Sequence, residues 1–402
     1  MRYPVVASAR TLLLAAAPIF TPFGHAAEVY NQPILAVSAE NDTNLDLDPG
    51  VHRNIEGYTA DLATIMGIAT RDSNTVVEPR IVYRYYPNES AADRLEGYLD
   101  FNSNYRTQRS VASIVGSIQR LDEFNAQYTS PLYNEIGAQG VPDTGKVTVG
   151  AVQNNVLLYP KYVYSLTPVI GAGVSASYQD VTYSPTDALD HTNFEYYTGK
   201  AFLSWSLSQT TDVSLGGYGS KYQATGAEAT GTGVTIELNK SWSPVLSTEA
   251  SVNYQHTTFD DTTPVVLNSS VNAWGGTVSG EYRSQIDRFR LTVGRAISPT
   301  GGGALYNVDR VQFQYDRNFS ARWSFVGAAI GLRTHALTTN IAGDDRTYAQ
   351  ARVEAKWMMT PYWFLRGGYQ YAYQKYQTFT QSADNNRVFI QFGYQGLGQE
   401  RK

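Results

Sequence analysis

The stretch AQARVEAKW, residues 349–357, alternates between two kinds of side chain. Alanine, valine and tryptophan occupy the odd positions, and glutamine, arginine, glutamate and lysine occupy the even ones. Because successive side chains of a β-strand point to opposite faces of the sheet, this pattern predicts a strand with one apolar face and one charged face. Residues 363–374 and 387–394 show the same division, so the pattern extends to the C-terminal strands.

From about residue 147 onward, two alternating strands joined by a short polar turn recur along the chain. Clear copies are residues 162–181, 203–222, 239–259 and 316–335. The short turns are predicted at residues 165–168, 208–211, 243–246, 285–288, 318–322 and 359–361. Longer connections rich in Asp, Asn, Thr and Gly are predicted at residues 41–56, 122–146, 182–192, 224–231, 259–270, 298–304, 337–346 and 377–386. Alternation of short turns with long loops is typical of outer-membrane barrels.

The composition favours a barrel over other classes of protein. The chain has 30 Tyr, 15 Phe, 6 Trp and 34 Gly with no Cys, and downstream of Ala27 no apolar stretch approaches the length of a membrane helix. A membrane location therefore requires a closed barrel. A soluble β-sandwich would alternate too, but aromatic residues at both strand ends favour barrel girdles. The formal net charge of −5 gives no indication of nucleic-acid binding.

These observations predict an all-β fold, a transmembrane antiparallel up-and-down β-barrel of about 18 strands, with 16 as the alternative. The short turns are expected in the periplasm and the longer loops outside the cell. The first strand is predicted at residues 34–40, and the region 107–122 alternates weakly.

Residues 1–26 are predicted to be a secretory signal peptide. Arg2 and Arg10 precede an apolar run at residues 12–20. The small residues Gly24, Ala26 and Ala27 predict cleavage after Ala26. The alternative, an inner-membrane anchor, needs a longer apolar run. Residues 27–402 then form a single barrel domain in the cell outer membrane of a Gram-negative bacterium. Its expected partners are the barrel-assembly machinery, outer-membrane lipid and lipopolysaccharide.

The charged residues that the alternation places on the inner face of the barrel are the most informative about function. The predicted basic ladder along the pore comprises Arg288, Arg290, Arg310, Arg333, Arg352, Lys356, Arg366 and Arg387. The acidic and mixed pore-lining positions are Glu281, Asp316 and Glu354. On one reading these charges pair across strands and solvate a filled or narrow lumen. On the other, a surplus of guanidinium groups selects anionic solutes.

No catalytic residue, cofactor or metal site is predicted. The histidines at positions 52, 191, 256 and 335 fall in or beside predicted loops without metal-ligand spacing. The chain has no Gly-x-Ser-x-Gly motif. The nearest approach to a hydrolytic site is His256 beside Thr257 and Thr258, for which a solvated loop histidine is the better interpretation. We therefore expect that the protein is not an enzyme.

Residues 288–334 resemble a largely uncharacterised family of proteobacterial outer-membrane β-barrel porins. The resemblance is carried by SPTGGG at residues 298–303, by Asp309 and Arg310 at the following strand, and by AVSAENDTNLDLDPG at residues 36–50. It implies a barrel fold and no catalytic residues, and some members of the family are associated with exopolysaccharide production. Many outer-membrane barrels end on an aromatic residue, whereas this chain continues past Tyr394.

Two functions from different classes follow. The first is a porin-like channel that passes anionic solutes or exports an anionic exopolysaccharide, with residues 122–146 as the candidate constriction loop. The second is an occluded structural or surface-interaction barrel, an adhesin or phage receptor, with no transport role. An anionic polysaccharide is a partner only in the first case.

Overall fold

The computed structural model describes residues 27–45, 47, 49, 53–89, 92–122, 152–184, 191–261, 270–299, 301, 305–337, 345–377 and 381–397. The predicted signal peptide and almost all of the predicted constriction loop, residues 122–146, lie outside these ranges. The strands are β1 (Glu28–Asp42), β2 (Ile55–Ala69), β3 (Ser73–Tyr85), β4 (Arg94–Arg106), β5 (Ser110–Asp122), β6 (Val152–Ser165), β7 (Ile170–Ser184), β8 (Phe194–Ser208), β9 (Thr211–Ala224), β10 (Ala227–Ser243), β11 (Leu246–Asp261), β12 (Ser270–Arg283), β13 (Asp287–Pro299), β14 (Leu305–Asn318), β15 (Trp323–Ala336), β16 (Arg346–Met358), β17 (Trp363–Tyr376) and β18 (Ala383–Gln395).

The strands form one closed sheet. Each pairs antiparallel with its neighbours in sequence, and β18 pairs with β1 through registers such as Ile34 opposite Gln395 and Asp42 opposite Arg387. Closure leaves no edge strand, which satisfies the backbone hydrogen bonds that a lipid environment cannot. The predicted fold, an antiparallel up-and-down β-barrel of 18 strands, is confirmed.

Two local predictions are corrected. The first strand is longer than predicted, because it runs over Glu28–Asp42 and pairs with β2 along its whole length. The predicted loop at residues 224–231 is instead a tight hairpin, since β9 ends at Ala224 and β10 begins at Ala227. Gly226 adopts a φ of 82° in this turn, a conformation that glycine reaches without strain and that favours two-residue hairpins.

Seven of the eight connections at one end of the barrel share a simple design. A serine or threonine hydroxyl at the start of the turn accepts a hydrogen bond from the backbone N–H three residues later, which holds the chain in a turn. The hydroxyls that do this belong to Thr70, Thr107, Thr167, Ser243, Ser284, Ser320 and Thr360, at 2.9–3.1 Å. We call this end the turn end, and the opposite end the loop end.

The outer face of the barrel is an apolar belt. Leu62, at 56% relative exposure, is one of many exposed aliphatic side chains along the strands. Aromatic pairs flank the belt: Trp323 stacks on Trp357 at the turn end, and Tyr254 contacts Trp274 toward the loop end. A continuous exposed apolar surface between two aromatic girdles is typical of lipid contact. Within the described ranges, no helix is both long and apolar enough to cross a membrane.

Glycines on the inner face let aromatic rings lie close to the wall. A Cβ added to Gly173 would lie 2.4 Å from the Phe202 ring, and one added to Gly393 would lie 2.3 Å from the Phe364 ring. Because the rings occupy the space above these glycines, they lie against the sheet. This arrangement brings them beside inward cations, with Lys200 Nζ 4.9 Å from the centre of the Phe202 ring.

Candidate functional site

The registers decide which predicted charges face the lumen. They place on the inner face the basic residues Arg288, Arg290, Arg310, Arg352, Lys356, Arg366 and Arg387 and the acidic residues Glu281, Asp316 and Glu354. Arg333 is a correction to the predicted ladder. It pairs in register with Asp309, which itself pairs with Arg295 on the outer face of the sheet.

A cluster of buried charges joins the strands where the barrel closes. Arg387 on β18 forms ion pairs with Glu40 and, at 3.8 Å from Nε to Oδ2, with Asp42 of β1. Arg84 on β3 extends the cluster, with its Nη1 3.5 Å from Glu40 Oε1 and its Nε 3.4 Å from Glu96 Oε1. We call these five residues the seam cluster. Its carboxylates are almost fully buried, so their charges depend on these guanidinium partners.

Tyrosine hydroxyls complete the seam cluster. Tyr86 Oη donates to Glu40 Oε1 at 3.0 Å, and Tyr98 Oη donates to Glu96 Oε2 at 2.9 Å. Tyr86 follows the end of β3, and burial raises the pKa of its phenol well above the usual range. The phenol therefore stays protonated and remains a hydrogen-bond donor at neutral pH.

Other arginines of this wall are also paired. Arg80 binds Asp61 in a bidentate manner, with Nε 2.7 Å from Oδ1 and Nη2 2.6 Å from Oδ2. Arg352 forms an ion pair with Glu354, and Arg366 Nε lies 3.8 Å from the second oxygen of the same carboxylate. Several arginines of the predicted basic ladder are therefore paired with carboxylates on the same wall, although Arg352 and Arg366 share one carboxylate. The pairing corresponds to the first of the two interpretations of the lumen charges.

A second group of charges lies at the turn end, where three guanidinium groups approach one carboxylate. Arg283, Arg288 and Arg290, which we call the arginine trio, all approach Glu281. The distances are 2.7 Å from Arg283 Nη2, 3.4 Å from Arg288 Nε and 3.2 Å from Arg290 Nη2. Asp316 lies opposite Arg288 in register. The three guanidinium groups outnumber the two carboxylates of Glu281 and Asp316, and the side chains of Arg283 and Arg290 are 62% and 38% exposed.

At the loop end, part of the β1–β2 connection folds into the lumen. Its described residues, 43–45, 47, 49, 53 and 54, are called the inward loop. Leu45 and Leu47 are buried, Leu47 at 1% exposure, in an apolar cluster on the inner wall. The cluster also contains Ile55, Tyr86, Ala92, Tyr306, Val308, Leu332, Tyr348, Ala372 and Ala383. Because these residues come from β2 and the β3–β4 connection on one side and from β14–β18 on the other, the inward loop narrows the lumen.

Polar contacts hold the inward loop in place. Asn385 on β18 accepts hydrogen bonds at its Oδ1 from the backbone N–H groups of Thr43, at 3.1 Å, and Asn44, at 3.0 Å. Its Nδ2 donates to Asp42 Oδ1 at 2.9 Å, which links the loop to the seam cluster. Leu47 has a φ of 49°, an uncommon value for a residue other than glycine. The surrounding packing maintains this backbone conformation.

A second bridge crosses the loop end of the lumen. The backbone N–H of Thr192, before β8, donates to the carbonyl of Gly301 in the β13–β14 connection at 2.8 Å. Beside it, Leu305 packs with Val181, Tyr183 and Phe194 in a second buried apolar cluster. Neither bridge was predicted from the sequence. The signal in the first was the pair of leucines in the otherwise polar stretch NDTNLDLDPG, residues 41–50.

The described residues thus define a class of protein, an 18-stranded transmembrane barrel whose lumen carries paired charges, a basic turn end and a narrowed loop end. They contain no group of three or more side chains placed to hold a metal ion.

Comparisons with known proteins add the following. No protein-family model matches the chain, and no curated protein is similar to it. Among solved structures, it is similar to Pseudomonas aeruginosa OccK2 (OpdF) in complex with glucuronate, with 8% identity, a TM-score of 0.46, and coverage of 92% of this chain and 98% of that one. It is also similar to Pseudomonas aeruginosa OccK3 (OpdO), with 11% identity, a TM-score of 0.44, and coverage of 91% and 96%. For Acinetobacter baumannii OccAB3 the identity is 8%, the TM-score 0.42, and the coverage 92% and 99%.

Proposed function

We propose that this protein is a passive channel of the outer membrane that favours small anionic solutes. The observation that carries the proposal is the arginine trio, whose guanidinium groups outnumber their carboxylate partners and are exposed inside an 18-stranded barrel. Barrels of 16–18 strands are wide enough for an aqueous channel. Fixed positive charges along such a channel raise the local concentration of anions.

Replacing the arginine trio tests selectivity more cleanly than replacing Arg352 and Arg366 of the predicted ladder. Arg352 and Arg366 share Glu354, so replacing them would leave a buried carboxylate without partners and would confound selectivity with stability. Arg283 and Arg290 are exposed, and all three members of the trio share Glu281. The carboxylate that remains after their replacement, Glu281, is 17% exposed against 8% for Glu354, so water reaches it more readily.

We expect the triple variant Arg283→Gln, Arg288→Gln and Arg290→Gln to shift ion preference toward cations. The reason is that Glu281 and Asp316 then dominate the local potential. The measurement is the reversal potential of the purified, full-length protein in planar bilayers under a salt gradient.

The control for this experiment removes three positive charges at the same end but outside the lumen. It combines Lys240→Gln, Arg317→Gln and Arg322→Gln, and its reversal potential should equal that of the wild type. Complete absence of conductance in the wild type would contradict the channel. An unchanged reversal potential in a trio variant that inserts normally would contradict the anion preference.

Export of an anionic polysaccharide is a more specific form of the same proposal. Guanidinium groups bind carboxylates through charge-assisted, often bidentate hydrogen bonds, so the arginine trio would also hold uronate units. An oligouronate added to the bilayer should then block the current of the wild type more strongly than that of the trio variant. Equal block of both would contradict this form.

An occluded surface-interaction barrel is the second candidate. The two apolar bridges at the loop end favour it, because Leu45 and Leu47 on one side and Leu305 on the other occupy space inside the mouth. This candidate predicts no conductance in the wild type and none after the inward loop is released.

A further inference from the structure

Arg333 belongs to a row of polar residues that crosses five strands on the outer face of the barrel. In register, Arg295 of β13 lies opposite Asp309 of β14, Asp309 opposite Arg333 of β15, Arg333 opposite Thr347 of β16, and Thr347 opposite Lys375 of β17. We call these five residues the outer polar row. Four strand spacings of about 4.8 Å give it a length of about 19 Å. With three cations and one carboxylate, the row carries a surplus of positive charge.

The outer polar row lies at the boundary of the apolar belt. Two residues toward the turn end, the register runs through Val293, Val311, Gly331, Ala349 and Tyr373, all on the same outer face. An arginine at the middle of a bilayer destabilises a barrel, whereas one near the interface has little effect. The change from apolar residues to cations therefore indicates that the row lies at the headgroup level on the loop-end side.

The cations of the row are not fully used within the protein. Arg295 binds Asp309 in a bidentate manner, with Nε 2.6 Å from Oδ1 and Nη2 2.7 Å from Oδ2. No hydrogen bond or ion pair within 4.0 Å joins Arg333 or Lys375 to a residue that the structure describes, although Arg333 lies close enough to Asp309 to interact with it electrostatically. Both side chains are exposed beside the belt. The row thus offers an anchored guanidinium and two available cations to an anion at the lipid surface.

The charge pattern differs elsewhere on the outer face near the loop end. At β8–β10 this face carries Glu195, Lys221 and Glu228. There, Lys221 Nζ lies 2.8 Å from Glu228 Oε1, and Tyr197 donates to Glu195. On β5, Arg120 donates to Asn154 Oδ1 at 3.0 Å. Neither place repeats the alternation of cations and carboxylate over neighbouring strands that the outer polar row has.

We propose that the outer polar row binds the phosphate groups of the outer-leaflet glycolipid, the lipid A part of lipopolysaccharide. Arginine and lysine recognise phosphate through charge-assisted hydrogen bonds, and cations at headgroup level attract anionic lipids. The apolar residues below the row would contact the acyl chains. The proposal rests on the outer-membrane location proposed above, but not on conductance.

The test uses the full-length barrel purified in detergent with a chelator, so that divalent cations cannot bridge lipid and protein. The probes are bis-phosphorylated lipid A, dephosphorylated lipid A and phosphatidylglycerol. The readout is the temperature at which the barrel loses its fast-migrating folded form on a gel. We expect bis-phosphorylated lipid A to raise this temperature by several degrees, and dephosphorylated lipid A to leave it unchanged.

Variants assign the effect to the row. Arg333→Gln with Lys375→Gln should abolish most of the shift while retaining the Arg295–Asp309 pair, so folding is preserved. Asp309→Asn should increase the shift, because the carboxylate no longer competes with phosphate for the guanidinium groups. The matched control, Lys221→Gln with Lys240→Gln, removes two outer-face cations elsewhere and should keep the full shift.

Two outcomes would overturn the proposal. One is a lipid A shift that is equal in the wild type and in the Arg333→Gln, Lys375→Gln variant. The other is an equal shift with phosphatidylglycerol, which would show attraction to any anionic surface. Since conductance is measured separately, a barrel that conducts normally but fails this test overturns only the glycolipid site. A barrel that binds lipid A but never conducts overturns only the channel.

Discussion

Replacing Arg387 with glutamine is expected to lower the free energy of unfolding by about 3–5 kcal/mol, the usual effect of removing one partner from a buried ion pair. Arg387 contacts both Glu40 and Asp42, whose side chains are 1% and 0% exposed. Without the guanidinium, Asp42 keeps the hydrogen bond from Asn385 but loses its ion pair. The measurement is the urea midpoint at which the fast-migrating folded form disappears.

Three comparisons identify the cause of that loss. Arg283→Gln, which removes an exposed arginine of the lumen, should change stability by no more than about 1 kcal/mol. Arg387→Lys should be intermediate, because one ammonium group cannot span two carboxylates as a guanidinium does. Adding Asp42→Asn to Arg387→Gln should restore part of the stability, since fewer buried charges then lack a partner. Equal midpoints for Arg387→Gln and Arg283→Gln would show that the seam cluster does not stabilise the barrel.

The double variant Leu45→Ala, Leu47→Ala is expected to raise single-channel conductance several-fold. Truncating a buried leucine to alanine destabilises its packing by about 2–5 kcal/mol, so two such changes should outweigh the hydrogen bonds from Asn385 and release the inward loop. The lumen would then widen at the loop end. The measurement is the single-channel current in planar bilayers at fixed salt and voltage.

A matched control tests whether the inward position matters. Leu35→Ala with Leu62→Ala removes two leucines from the lipid face of β1 and β2, the strands that the inward loop connects. This control should conduct like the wild type. If the Leu45→Ala, Leu47→Ala variant also conducts like the wild type while remaining folded, then the inward loop does not limit the current. Either result for the Leu45→Ala, Leu47→Ala variant differs from a complete absence of conductance in the wild type, which would contradict the channel itself.

The periodicity of the sequence was sufficient to predict the class of fold. Side-chain alternation depends only on local backbone geometry, so stretches such as 349–357 predicted both the strands and the faces on which their charges lie. Counting the alternating segments then predicted about 18 strands, with 16 as the alternative, and the structure has 18. The local signal failed only where the pattern was ambiguous, as in the small and polar residues 224–231, which form a tight turn between two strands.

Arg333 shows where periodicity fails for the site. In β15, the inner residues Ile330 and Leu332 and the outer residues Ala329 and Gly331 are all small or apolar, so alternation does not distinguish the two faces. The inner face of this strand is apolar because Leu332 packs in the cluster that receives the inward loop. Only the register against β14 places Arg333 on the outer face.

The sequence alone therefore predicted most of the strands, their approximate number and most of the inward charges, because these follow from a repeat of two residues along each strand. The tertiary structure decided which charges are paired, since Arg387 and Glu40 are 347 residues apart and meet only when the barrel closes. It also decided that Leu45 and Leu47 enter the lumen, because their burial requires a wall built from strands at the other end of the chain. Contacts of this kind depend on closure and packing, which no local pattern encodes.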